Sequence, residues 1–235
     1  VKQNWVHDLV ADASAGSGRI RVFGFLWSDD VVITNNLIHS LEAFNGYCNI
    51  GAIYIDGQPG DAHSNNPIIM NNTIDKAATN GNGFANMILF SNTIVGTFAI
   101  PNITLVNNIV SNTDGSASSR AYQHVQPDPD DPCIADFCNA YNTAWLHANG
   151  ADGYLNIVKG TGTYGNWINP QDPDYINPPY NYDLPASSTS QYGDPSFVDW
   201  DDTGDPSNDP SNNNIETRSR MGAFGGPEGG WWPLD

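Results

Sequence analysis

The stretch DWDDTGDPSND, residues 199–209, carries Asp199, Asp201, Thr203, Asp205 and Asp209 at near-alternate positions, with Gly204 available for a sharp bend. Calcium takes six to eight oxygen ligands and accepts flexible loops of this kind, so these five residues are the metal candidates. The loop is not an EF-hand. Position twelve is Pro210, where a bidentate Glu would be needed. A solvated acidic loop is the competing reading, since Asp-Gly-Asp-Pro turns generate much of the pattern. A second acidic cluster, Asp128, Asp130, Asp131 and Asp136, alternates with Pro127, Pro129 and Pro132 and reads as a stiff, solvated ribbon.

Glycoside hydrolysis requires two carboxylates facing each other across the substrate. The weak candidates are Asp29 and Asp30, just before an apolar strand, and Asp56, at the end of another. His39 and Asp75 form a further pair: they occupy one column of a repeat and become neighbours if successive turns stack directly. Such a pair could act as a general base. Alternatively both residues only cap turns on a polar face, with a whole extra turn lying between them. Metal-type His spacing, a nucleophile elbow and a phosphate-cradling glycine loop are all missing from the sequence.

The elements that must position these groups come from a repeated phrase. ITNNLIHS, IIMNNTID, ILFSNTIV and ITLVNNIV align on Asn36, Asn72, Asn92 and Asn108, at spacings of 36, 20 and 16 residues. Three positions before the Asn stand Ile33, Ile69, Leu89 and Leu105; two after it stand Ile38, Ile74, Ile94 and Val110. Alternation on both sides of a tight corner suits a coil of short strands. Asn tolerates the left-handed backbone a corner needs, and stacked Asn side chains bond to one another at the inter-strand repeat. The expected result is an Asn ladder.

Composition agrees with an all-β chain. Its 235 residues are rich in Asn, Asp, Gly, Ser and Pro, and they lack a long helical apolar stripe. Hydrophobic residues at 39% support a packed core rather than disorder. A net charge of -18 with eight Lys and Arg repels nucleic acid, anionic lipid and anionic polysaccharide. Divalent cations, neutral glycans and basic proteins remain as partners. No apolar run is long enough to insert into a membrane. Cys133 and Cys138 are close enough in sequence to close a small oxidised loop, leaving Cys48 as a buried thiol.

The repeat resembles that of right-handed parallel β-helix proteins, secreted or on cell surfaces, of the pectate-lyase-like superfamily. The tail carries the same resemblance. Asp172, Pro173, Tyr175 and Asn177, then Tyr182 and Leu184, then Ser187, Gly193, Asp194 and Pro195, and finally Arg218 with MGAFGG at 221–226, match a C-terminal pattern of extracellular bacterial β-helix proteins. Two steps depart from it: SSTSQ, and Arg220 in place of an acid. The resemblance implies coils over 1–170, a loop excursion at about 113–170, and a wrapping segment over 171–235. Residues 1–30 read as an incomplete first turn without a cap, whose bare strand edges are a template for another chain. Trp231 and Trp232 need a cover from this molecule or its neighbour. The sequons at Asn71 and Asn102 read as ladder or strand residues.

Two functions are expected from this reading. The first is an extracellular, calcium-stabilised, non-catalytic scaffold, adhesin or surface-assembly subunit. The second is a neutral-glycan-binding protein or hydrolase. The paired-Asp, Gly-His-Gly and Arg-Ile-Lys motifs of polygalacturonase-like enzymes are not present beyond SDD at 28–30, and the charge opposes an acidic-sugar lyase.

Overall fold

The structure is a computed structural model; it describes residues 1–14, 16–26, 28–57, 66–79, 83–92, 100–114, 120–125, 133–143, 154–155, 158–159, 172–176, 178, 182, 184 and 222–223. The described strands are β1 (Trp5–Asp12), β2 (Ser17–Leu26), β3 (Val32–Thr34), β4 (Leu37–Phe44), β5 (Tyr47–Gly57), β6 (Ile68–Met70), β7 (Thr73–Thr79) and β8 (Phe84–Asn92). They continue with β9 (Thr104–Val106), β10 (Ile109–Asp114), β11 (Arg120–His124), β12 (Ile134–Asp136), β13 (Asn139–Thr143), β14 (Tyr154–Leu155) and β15 (Val158–Lys159). Every pairing is parallel and skips two strands, giving three five-stranded sheets: β3-β6-β9-β12-β15, β1-β4-β7-β10-β13 and β2-β5-β8-β11-β14. Each coil donates one strand to each sheet. The chain is a parallel β-helix.

Alternation sets what each coil buries. Ile33, Ile69 and Leu105 stack in one inward column, Ile38, Ile74, Val110 and Ala140 in a second, and Ile53, Ile88 and Tyr122 in a third. These side chains are buried, and each large one contributes about 1.5–3 kcal/mol relative to exposure. β-Branched residues dominate because they pack well on a pleated surface.

The corner between the first two sheets is built by Asn-Asn doublets. Asn35, Asn71 and Asn107 take the left-handed conformation at φ 54°, 54° and 56°, and Gln3 and Phe137 do so in the flanking coils. The left-handed residue is therefore the first Asn, and the ladder residue is the second. Asn36 Nδ2 donates to Asn72 Oδ1 at 2.8 Å, and Asn72 Nδ2 to Asn108 Oδ1 at 3.0 Å. The rungs are 36 residues apart, which is one complete coil, so no extra turn lies between His39 and Asp75.

Asn92 is not a rung. It ends β8 and pairs with Gly57 in a different sheet, and the spacings of 20 and 16 are two parts of one 36-residue coil. Asn4 is the rung missing from the alignment: its Nδ2 donates to Asn36 Oδ1 at 2.8 Å.

The expected Cys133–Cys138 bridge is not formed, and all three cysteines are buried thiols. Cys138 continues the Asn column: Asn108 Nδ2 reaches its Sγ at 3.8 Å, and burial raises its thiol to about 12. Cys133 lies at the other end of β12, also in the core. An extended rise of about 3.3 Å per residue carries the two well past the roughly 7 Å Cα separation a disulfide tolerates. Cys48 is the expected buried thiol, pointing at the carbonyls of Phe44 and Asn45.

Candidate functional site

Parallel register brings His7, His39, Asp75, Ser111 and Tyr141 into one column on the outer face of β1-β4-β7-β10-β13. Tyr175, Tyr182, Gly222 and Ala223 of the C-terminal segment lie over this face. Asp75 is fully buried there. Its Oδ1 accepts from Ser111 Oγ and Asn112 Nδ2, each at 2.8 Å, and its Oδ2 accepts from Tyr182 OH at 2.9 Å. Tyr175 OH lies 3.2 Å from Ser111 Oγ. Burial and the Asp75 charge push both tyrosine hydroxyls up, so they stay protonated donors. Thus His39 and Asp75 are neighbours as the repeat implied, but the carboxylate anchors the segment and is sealed from substrate.

His39 is held separately. Trp5 Nε1 donates to its Nε2 at 2.7 Å, and its Nδ1 lies 3.0 Å from Ser40 Oγ. The rings of His7 and Tyr182 pack on it at 5.2 and 5.1 Å. Burial, then the neighbouring His7, lowers its pKa from 6.5 to about 4. An unfolded His39 binds its proton below pH 6.5 and the folded one only below about 4, so stability is full above 6.5 and falls as pH drops through that window. The shift corresponds to about 3 kcal/mol at most. Urea midpoints measured from pH 7 to 4 should fall with a slope that His39→Gln reduces; equal slopes in both chains would rule this out.

The other acid candidates do not converge on this cluster. Asp30 sits at a second left-handed corner, φ 53°, where its Oδ1 accepts from Asn66 Nδ2 at 3.0 Å. Asn102 donates in turn to Asn66 Oδ1 at 2.9 Å, completing an exposed outer ladder, and Asp29 is exposed at the same corner. The two sequons are accordingly corners rather than strand residues: Asn71 is buried and Asn102 is exposed. Asp56 accepts from Tyr54 OH at 2.9 Å on the outer face of β2-β5-β8-β11-β14. Asp199, Asp201, Thr203, Asp205, Asp209, Trp231 and Trp232 lie outside the described residues.

A groove of about 320 Å³ on that same outer face was missed in the sequence. Arg19, Arg21, Tyr54, Phe84, Asn86 and Gln123 are among its lining residues. The Arg21 guanidinium lies 3.7 Å from the Tyr54 ring centre, a cation–π contact that also orients the phenol toward Asp56. Asn86 is 5% exposed, and among the described residues neither its Oδ1 nor Gln123 Oε1 has a hydrogen-bond partner. The legible signal was the alternate pair in RIR at 19–21, which puts two of only eight basic residues on one face.

The first coil forms the opposite kind of surface. β1 and β2 are the end strands of their sheets among the described residues, while residues 1–3 run along the outer edge of β3, where Lys2 bridges Thr34. Six of the eight large apolar side chains exposed among those residues are Val1, Trp5, Leu9, Val10, Leu26 and Val32. Val10, at 61%, is the most open of them. No helix among the described residues is long and apolar enough to cross a membrane.

The fold and these surfaces define the class of protein, a parallel β-solenoid with an Asn ladder. No protein family, curated protein or solved structure matches the chain.

Proposed function

We propose that this chain is an extracellular, non-catalytic β-helix scaffold that works as a subunit of a surface assembly. The observation that carries this reading is Asp75, the most enzyme-like carboxylate of the described residues, which is fully buried beneath the C-terminal segment. The engagement of Asp75 by three donors supports a structural rather than catalytic use of the most enzyme-like cluster. The resemblance of the repeat and tail to secreted β-helix proteins supports the location, and the 199–209 loop supplies oxygen ligands for a stabilising calcium ion. Negative-stain electron microscopy in millimolar calcium should show filaments, rings or sheets. Isolated particles would count against assembly, and an unchanged melting temperature with chelator would remove calcium from the reading.

The groove favours a second reading, binding of a neutral glycan. Phe84 offers an apolar ring, while Arg21, Asn86 and Gln123 offer polar groups for sugar hydroxyls. Titrating neutral oligosaccharides should then give saturable binding that Phe84→Ala weakens about tenfold or more, as loss of a hot-spot aromatic does. Equal binding by both chains would exclude the groove.

A further inference from the structure

We propose that the groove over β5, β8 and β11 receives the carboxy-terminal end of a short peptide. The carboxylate sits on Arg21, and peptide N–H groups reach Asn86 and Gln123. This occupant differs from the neutral glycan of the second reading, and it does not depend on the assembly reading.

The register shows how the groove arises. Arg21 pairs with Gly51 of β5, and on β8 the next side chain outward is Asn86. Gly51 has no side chain, so the space between Arg21 and Asn86 stays open. A Cβ at Gly51 would meet only Asn86 O at 3.6 Å and Tyr54 Cβ at 3.9 Å. Arg21 turns from β2 over β5, where its guanidinium lies 3.7 Å from the Tyr54 ring centre. Both β5 and β8 have a strand on either side, so the floor of the groove is complete.

Three features of this floor define the ligand. The first is charge. A guanidinium is always charged, and the chain has 26 acidic residues against 8 basic ones. Yet among the described residues no carboxylate pairs with Arg21 or with Arg19 beside it. Asp56 accepts from the Tyr54 hydroxyl instead. The cation–π contact holds Arg21 in place and leaves its N–H donors without an acceptor oxygen, ready for a carboxylate.

The second feature is a pair of amide oxygens, Asn86 Oδ1 and Gln123 Oε1, which have no donor among the described residues. A buried acceptor left unpaired is costly, and an arriving peptide N–H would satisfy it. The third is apolar surface: Phe84 and Leu89 line the same groove and suit one hydrophobic side chain. Its volume is about 320 Å³. From β5 to β11 is two strand spacings, about 10 Å, the length of about three extended residues. A neutral sugar brings no charge for Arg21, and a polyanion is repelled by a chain of -18. A peptide end brings one carboxylate, several N–H donors and an apolar side chain together.

Calorimetric titration with acetyl-alanyl-alanyl-leucine, as the free acid and as its carboxamide, tests this. The acid should bind saturably, and the carboxamide at least about tenfold more weakly. Arg21→Gln should make the two forms bind alike, whereas Asn86→Ala should weaken both and keep the difference between them. Gly51→Val fits the strand and should fill the groove, abolishing binding with an unchanged circular dichroism spectrum. Equal binding of acid and carboxamide by the unaltered chain, or no binding of either, would overturn the proposal. So would neutral oligosaccharide binding that Gly51→Val removes and Arg21→Gln leaves intact, which would assign the groove to the glycan.

Discussion

Asn72→Ala should lower the unfolding free energy by about 3–4 kcal/mol, among the largest single-residue losses in the coil. Asn72 Oδ1 accepts from the backbone N–H of Asn36 at 3.1 Å and from Asn36 Nδ2 at 2.8 Å. Its Nδ2 reaches Asn108 Oδ1 at 3.0 Å and the carbonyls of Ile33 and Met70 at 2.9 and 3.1 Å. Truncation leaves several of these buried groups without partners, at about 1–3 kcal/mol for each unsatisfied one. The domain's whole margin is of order 5–15 kcal/mol, so the effect is large. Asn4→Ala, at the half-buried first rung, should cost only about 1 kcal/mol. Urea unfolding of the three chains decides the matter. A similar small loss at both positions would mean that the ladder is not cooperative.

Gly222→Ala should detach the C-terminal segment from the coil while leaving the coil itself folded. Gly222 has φ +83°, and its N–H donates to Asn107 O at 2.6 Å. A Cβ there would stand 2.5 Å from Thr73 Oγ1 and 2.9 Å from Ile109 Cδ1, in the left-handed region that itself costs an L-residue about 1–2 kcal/mol. Thr73 Oγ1 is also the acceptor for the Ala223 N–H at 2.9 Å, and Asn35 Nδ2 donates to Ala223 O at 3.0 Å. Pushing the segment away therefore breaks its neighbouring bonds as well. With Tyr182 gone from its ring, His39 loses part of the burial that depresses it. Its titration, followed by NMR, should move from about 4 toward 6.5. A His39 that still titrates near 4 would show the segment still docked. This geometry also accounts for the Gly in MGAFGG: only a residue without Cβ fits between Thr73 and Ile109.

The legibility of the molecule followed the range of the interactions. Period-two alternation around a corner is local, so the strands at Ile33, Ile38, Ile69, Ile74, Leu105 and Val110, and the Asn ladder that joins them, could be read directly. The false rung at Asn92 shows the limit of that pattern. Any apolar strand followed by an Asn satisfies it, whereas at a true corner a left-handed residue (Gln3, Asn35, Asn71 or Asn107) bends the backbone before the Asn that forms the rung. Asn92 follows Ser91 and lacks the first of these. The cysteine pair failed for a related reason. Sequence distance suggested a loop, but an intervening strand holds the two thiols apart and directs both into the core.

What the sequence determined by itself was the class of fold and the chemistry of the corners, since both arise from residues within a few positions of one another. Register between coils was decided only in three dimensions, because it depends on closing a 36-residue circuit. Closure set His39 beside Asp75, gathered Arg19, Arg21, Tyr54, Phe84 and Asn86 into one groove, and left β1 as the end strand of its sheet. The same closure laid Tyr182, 107 residues away in the chain, over Asp75, and so turned the most enzyme-like pair in the sequence into a buried anchor.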